Sequence, residues 1–139
     1  MNISFRPAEQ RDARFVYDLR FRHQDSSCYF SNIFVSFEEH ALFWEDNFKS
    51  YWIAEELSIR IGFYGIINED FRYSVIPEYR GRGIGTYIVA DAIKRLELRQ
   101  VRVIAENISS IKVFRKNSFI VSQYGELHGI EYLTLSRLD

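Results

Sequence analysis

The stretch Val75-Ile76-Pro77-Glu78-Tyr79-Arg80-Gly81-Arg82-Gly83-Ile84-Gly85-Thr86 decides how this chain reads. Before it, Phe71–Ile76 is a short strand-like run closed by Pro77. After it, Ile84, Ile88, Val89, Ala92, Ile93 and Leu96 recur on one face of a helix. Gly81, Gly83 and Gly85 therefore lie between a strand end and a helix N-terminus. Glycine there lets backbone N–H groups approach a ligand closely and tolerates positive φ. The first turn of the helix leaves N–H donors unpaired, and the dipole adds partial positive charge, which suits phosphate. Arg80 and Arg82 add fixed cations. A Walker A loop would need Lys and then Ser or Thr after its last glycine, but Thr86-Tyr87 follow Gly85. A dinucleotide fingerprint needs G-x-G-x-x-G, and here the spacing is G-x-G-x-G. Taken alone, the three glycines also fit a plain turn with a helix cap.

Pro77 sharpens the reading. It donates no hydrogen bond, so ladder pairing is expected to fail at the end of this strand. If the strand read at Val101–Ala105 lies beside it, the two splay apart there, and an extended amide chain can lie in the slot like an added strand.

Working outward, Asn2–Arg6 alternates as a short strand, and Pro7 and Ala8 open a helix with Glu9 and Asp12 in its first turn. Its apolar face is Phe15, Val16 and Leu19. Asp25–Phe34 reads as loop or broken helix. Ser36 with Glu39 forms a capping box for a helix running to about Lys49. Tyr51–Ala54 and Ile59–Ile67 are strands, and Asn68-Glu69-Asp70 is a turn signal. Asn107 caps a short helix, and Phe119–Tyr124 and Ile130–Leu138 close the chain as a hairpin. The order βααβββαβαββ predicts an α+β fold with a mixed sheet, over 1–139 as a single domain.

Composition bounds the function. The 139 residues carry 18 Lys plus Arg against 19 Asp plus Glu, a net charge of −1 that gives no global pull on nucleic acid or an anionic membrane. The one cysteine, Cys28, excludes an internal disulfide and a Cys-based zinc cluster. Apolar runs fall far short of the ~20 residues that span a bilayer. The start of the chain shows no apolar signal segment. The expectation is a cytoplasmic protein without metal, nucleic-acid or membrane partners, acting on a small molecule, with room for a homodimer.

Val75-x-Pro77-x-Tyr79-Arg80-Gly81-Arg82-Gly83-Ile84-Gly85 resembles the acetyl-CoA-binding motif of the GNAT family of N-acetyltransferases, Gln/Arg-x-x-Gly-x-Gly/Ala. Downstream, Glu106-Asn107-Ile108-Ser109-Ser110-Ile111-Lys112-Val113-Phe114-Arg115-Lys116-Asn117-Ser118-Phe119 resembles the family's second motif. The element order matches over the whole chain. The resemblance implies the GNAT fold with splayed central strands and acetyl-CoA as co-substrate. It implies cofactor contacts from Ser74, Val75, Ile76, Arg80, Gly81, Arg82, Gly83, Ile84, Gly85, Thr86, Asn107, Ser110, Phe114 and Lys116. The pyrophosphate would meet N–H groups of Arg82, Gly83, Gly85 and Thr86, the pantetheine would pair with Ser74–Ile76, and the Val75 N–H would meet the thioester carbonyl. Two positions depart from the pattern. Phe114 stands where a tyrosine commonly protonates the leaving thiolate, and Ser118 replaces a glycine. The N-terminal half, Arg6-Pro7-Ala8 through Arg20 and Ser36 through Trp44, is similar to acetyltransferases of pseudaminic-acid and related pathways. That similarity implies the 4-amine of a nucleotide-linked amino sugar as acceptor.

Direct transfer from a thioester to a neutral amine needs a donor for the oxyanion, a route for the amine proton, and a proton or positive field for the thiolate. By the resemblance, Val75 would supply the donor. Glu69, in the turn before the cofactor strand, and Tyr73 are candidates for proton handling. Arg20, His23 and Tyr29 lie where acceptor contacts are expected. Two other functions stay open: a protein α-amine acetyltransferase, and a non-catalytic acyl-CoA-binding module, which Phe114 motivates.

Overall fold

The periodicities read above become seven strands and four α-helices in a computed structural model that describes residues 2–22 and 35–138. They are β1 (Ile3–Pro7), α1 (Ala13–Phe21), α2 (Phe37–Asn47), β2 (Tyr51–Glu56), β3 (Ile59–Ile67) and β4 (Asp70–Val75), followed by α3 (Ile84–Leu96), β5 (Gln100–Ile104), α4 (Ile108–Lys116), β6 (Ile120–Leu127) and β7 (Ile130–Ser136). The order is βααβββαβαββ, an α+β fold, as the sequence predicts, but every ladder among the described residues is antiparallel where a mixed sheet is expected. The boundaries move by one to three residues where strands fray and a helix tightens. Pro7 ends β1 opposite Trp52, and the Ala8 N–H donates to the Tyr51 carbonyl, so these two residues extend the strand and do not open the helix; helical backbone begins as a 3-10 turn at Gln10–Asp12, and another 3-10 turn, Phe48–Ser50, finishes α2.

Both helix caps named in advance are built from those residues. The Ser36 Oγ accepts from the Glu39 N–H at 3.1 Å, and the Asn107 Oδ1 accepts from the Ser110 N–H at 3.2 Å. Each satisfies a backbone donor that the first turn leaves over.

The strands form two sheets, β1-β2-β3-β4 and β5-β7-β6, each antiparallel along every ladder. The hairpins β2–β3, β3–β4 and β6–β7 close through Leu57-Ser58, Asn68-Glu69 and His128-Gly129, all six residues at positive φ. Two-residue loops of this conformation match the right-handed twist of the strands they join. Glu97 and Ser118 also take positive φ.

The chain divides into two compact units, one holding residues 2–22 and 35–84 of those described, the other 85–138. In the first unit, Tyr51, Ile53 and Phe63 form one sheet face that packs with Val16, Leu19 and Trp44 of α1 and α2. Gly65 sits here because a Cβ would lie 2.6 Å from the Tyr51 ring. The opposite face carries an aromatic row in which Trp52 stacks on Tyr64 at 5.3 Å and Phe71 on Tyr73 at 6.0 Å. Asp12, fully buried, ties the N-terminal segment together. It accepts from both guanidinium nitrogens of Arg6 at 2.8 and 2.9 Å, from Arg60 at 3.2 Å and from the Glu9 N–H. In the second unit, Phe114 meets Phe119 edge-on at 5.3 Å, and Arg137 donates to the Asn117 carbonyl at 3.0 Å.

Candidate active site

β4 is the last strand of its sheet, and the ladder phase decides which of its backbone groups face outward. The Ile76 N–H donates to the Ile61 carbonyl at 2.9 Å, so Ile61 and Ile76 form a hydrogen-bonded pair. In an antiparallel ladder bonded and non-bonded pairs alternate. Ser74 with Phe63 is therefore the next bonded pair, and Val75 with Gly62 falls between them. The N–H and C=O of Val75 point away from β3, toward the outer edge. Of the three residues expected to pair with pantetheine, only Val75 presents its N–H to that edge. The amides of Ser74 and Ile76 are spent inside the sheet, which corrects the expectation for these two.

Beyond Val75 the chain turns at once. Pro77 opens the 3-10 turn Pro77–Tyr79, where its missing N–H costs nothing, and Arg80 leaves in extended backbone. The turn swings the Arg80 side chain back, and its Nε donates to the Val75 carbonyl at 3.0 Å. Arg80 is thus committed to the strand end and is not simply a loop cation. The Tyr79 hydroxyl donates to Glu56 at 3.1 Å, and this bond to a carboxylate raises the phenol pKa. The guanidinium of Arg82 stacks 4.8 Å over the Tyr79 ring. Strand end, turn and the end of β2 are thereby pinned together on the N-terminal side of Gly83. Gly81 and Gly83 have φ near +80°, are exposed, and would offer a Cβ nothing within 4 Å. The loop is open, and the backbone there has a conformation that ordinary residues resist. A phosphate-bearing group fits such a cradle.

The other predicted residues are placed as follows. Glu69 is exposed at the tip of the β3–β4 hairpin, six residues before Val75. At ~3.3 Å per residue the two lie about 20 Å apart along an extended strand. The structure does not bring Glu69 to the Val75 donor, which corrects its reading as a proton-handling group. Tyr73 lies two residues from Val75 on the same sheet face, half-buried and stacked on Phe71. Arg20 ends α1 half-buried with its guanidinium 4.9 Å over the Phe21 ring. His23 and Tyr29 lie outside the described residues, as do Cys28 and the whole stretch 25–34 read as a loop.

Ile84, the last residue of the first unit, is buried at the start of α3. In the second unit, Gly85 and Thr86 are half-buried, and the Thr86 carbonyl accepts from Asn117 at 3.2 Å. The Asn107 Oδ1 accepts one bond in the α4 cap, and its Nδ2 donors are the group the cap does not use. The Ser110 N–H is held by the same cap. Phe114 is buried, whereas Arg115 and Lys116 are exposed at the end of α4.

Sequence reasoning missed Glu56 and Tyr79 as supports of the loop. Only the proline at the head of a tight turn hinted that residues just after it would fold back.

The chain belongs to the acetyltransferase (GNAT) family, which matches residues 12–119. It is an N-acetyltransferase by that membership. No curated protein matches it in sequence. Its fold is similar to spermidine N-acetyltransferase from Vibrio cholerae, solved with CoA and spermine. That match has a TM-score of 0.76, 18% identity, and 96% and 95% of the two chains covered. It is similar to yncA from Salmonella typhimurium with its cofactor acetyl-CoA, at TM-score 0.75, 14% identity and 96% and 91% coverage. A GNAT-family acetyltransferase from Streptococcus pneumoniae aligns at TM-score 0.70, 19% identity and 99% and 100% coverage. Among the described residues no helix is long and apolar enough to cross a membrane, and no three His, Cys, Asp or Glu side chains gather as a metal site.

Proposed function

We propose that this chain, as one catalytic domain, transfers acetyl from acetyl-CoA directly to a primary amine, the 4-amine of a nucleotide-linked amino sugar. The observation that carries the transfer chemistry is the outward Val75 N–H six residues before the first positive-φ glycine of an open loop. When bound, acetyl-CoA supplies an activated acyl carbon whose oxygen gains negative charge as the amine adds. The residues' part is to hold and to stabilise. Gly81, Arg82, Gly83 and the amides entering α3 hold the diphosphate, with Gly85 and Thr86 continuing the same run. Val75 donates to the charged oxygen, and one such preorganised donor is worth ~3 kcal/mol. Tyr73 is the ionisable group nearest that donor along β4, and we assign it proton handling in place of Glu69. Asn107 Nδ2, with Lys116 further along α4, serves the cofactor's arm and outer phosphates. We assign the acceptor contacts to Arg20 and, on the sequence reading, to His23 and Tyr29.

The sugar acceptor is supported by the likeness of residues 6–20 and 36–44 to amino-sugar acetyltransferases. Purified protein with acetyl-CoA should release CoA with UDP-linked 4-amino sugars. It should release little with spermine or with peptides carrying a free α-amine. Turnover confined to spermine or peptides would reject the sugar while keeping the transfer. The buried phenyl ring of Phe114, which has no proton to give, favours a second reading, a non-catalytic acyl-CoA-binding module. That reading requires CoA to raise the melting temperature while no amine in the panel is acetylated.

A further inference from the structure

We infer that Arg80 is a positioning residue for the Val75 donor, and that it turns one end of β4 into a donor-only edge. This rests on the reading of Val75 given above. In an extended strand the N–H and C=O of one residue point to the same side. Left alone, the outer edge at Val75 would present a donor and an acceptor next to each other. A developing oxyanion would then meet the partial negative charge of that carbonyl as well as the N–H. The Arg80 Nε takes the carbonyl at 3.0 Å and brings a fixed positive charge beside it. The pair thus presents the N–H with its unfavourable neighbour capped.

The local structure holds this arrangement from both ends. Pro77–Tyr79 forms a single turn, and the Arg80 N–H itself donates back to the Pro77 carbonyl at 3.2 Å. The residue that closes the turn is the one whose side chain reaches over it. Tyr79, bonded to Glu56, fixes the turn against β2, the strand beyond β3. The side chain that a motif reading assigns to phosphate is directed at the acyl end of the strand. Arg82, whose guanidinium stacks over Tyr79, remains the loop's phosphate-side cation.

The test needs no acceptor. Calorimetry with CoA and with acetyl-CoA gives the preference for the acetylated form. Infrared difference spectra of bound [1-13C]acetyl-CoA read the polarisation of its carbonyl directly. In the wild type the carbonyl band should lie below its position in free acetyl-CoA. Arg80→Met should leave CoA affinity within about twofold, lower the preference for acetyl-CoA by roughly 3–10-fold, the size of an ordinary hydrogen bond's net contribution, and move the band back toward the free value. Arg80→Gln keeps a donor but no charge. It should give an intermediate band, and it covers the case in which the methionine variant does not fold. A preference and a band unmoved in these variants would overturn the inference. So would an equal loss of CoA and acetyl-CoA binding, which would make Arg80 a phosphate ligand. A wild type that binds neither molecule would remove the cofactor reading itself, a result distinct from both.

Discussion

At the scale of single residues, the site rests on backbone groups more than on side chains, and that sets which substitutions should matter. Val75→Pro removes the outward N–H without costing β4 a bond to β3, since proline is tolerated where the N–H faces away from the sheet. It should keep the fold by circular dichroism and lower kcat roughly 10²–10³-fold with whichever amine the wild type acetylates. Gly83→Asp puts a carboxylate in the loop at φ +80°, a conformation aspartate tolerates better than most residues. Calorimetry should show acetyl-CoA binding abolished in a folded protein, and unchanged affinity would refute the placement of the diphosphate. The glycine loop was legible because three glycines before a periodic helix have few other uses. The commitment of Arg80 was not, because a side chain reaching back five residues depends on a 3-10 turn that only Pro77 hinted at. Glu69 misled for a related reason. A carboxylate beside the cofactor strand in sequence lies at its far end once the hairpin register is fixed.

At the scale of elements, local signals carried nearly all the information. Ser36 and Asn107 were readable as caps because a side-chain acceptor three residues before a free N–H is a contact within one turn. Ser36→Ala should cost about 1 kcal/mol, measured as a shift in the urea midpoint. The Asp12 cluster was half legible. An acidic first turn could be read, but Arg60 reaches Asp12 across 48 residues, and nothing local announces that pairing. Asp12→Ala would leave Arg6 and Arg60 without their shared carboxylate, and denaturant unfolding should show a loss of about 3–5 kcal/mol, as for other broken buried pairs. Phe114 belongs here as well. Read as a missing acid, it also packs edge-on against Phe119 and ties α4 to the start of β6.

At the scale of the whole molecule, two buried groups set how stability varies with acidity. Burial pushes His40 down to about 4, and the charge of Arg20 acts in the same direction, outweighing the Ala13 carbonyl. His40 lies among Tyr17, Phe43 and Trp44, and its Nε2 has no hydrogen-bond partner among the described residues. The unfolded chain therefore takes up a proton near pH 6.5 that the folded chain refuses until about 4. Stability falls as pH drops through that window, by an amount on the order of 3 kcal/mol. His40→Phe should flatten the dependence, read from urea midpoints at pH 7, 5.5 and 4.5. Asp12 acts lower on the scale. Burial alone would raise its carboxyl, but the bonds from Arg6, the Glu9 N–H and Arg60 outweigh it and hold the pKa below the usual range. Its contribution is present above the ordinary carboxylate pKa and is lost as pH falls further, so the protein should lose stability in two acid steps.

The left-handed turn residues have a practical consequence. Leu57, Glu69, Glu97 and Ser118 bear side chains where glycine would rest at ease. Each exchange to glycine, net of the extra freedom it gives the unfolded chain, should raise stability by about 0.5–1 kcal/mol. Ser118→Gly is the first to try, with the melting temperature as the gauge. Heat tolerance in this acetyltransferase can therefore be raised from its hairpin tips and helix exits, leaving the chemistry of β4 untouched.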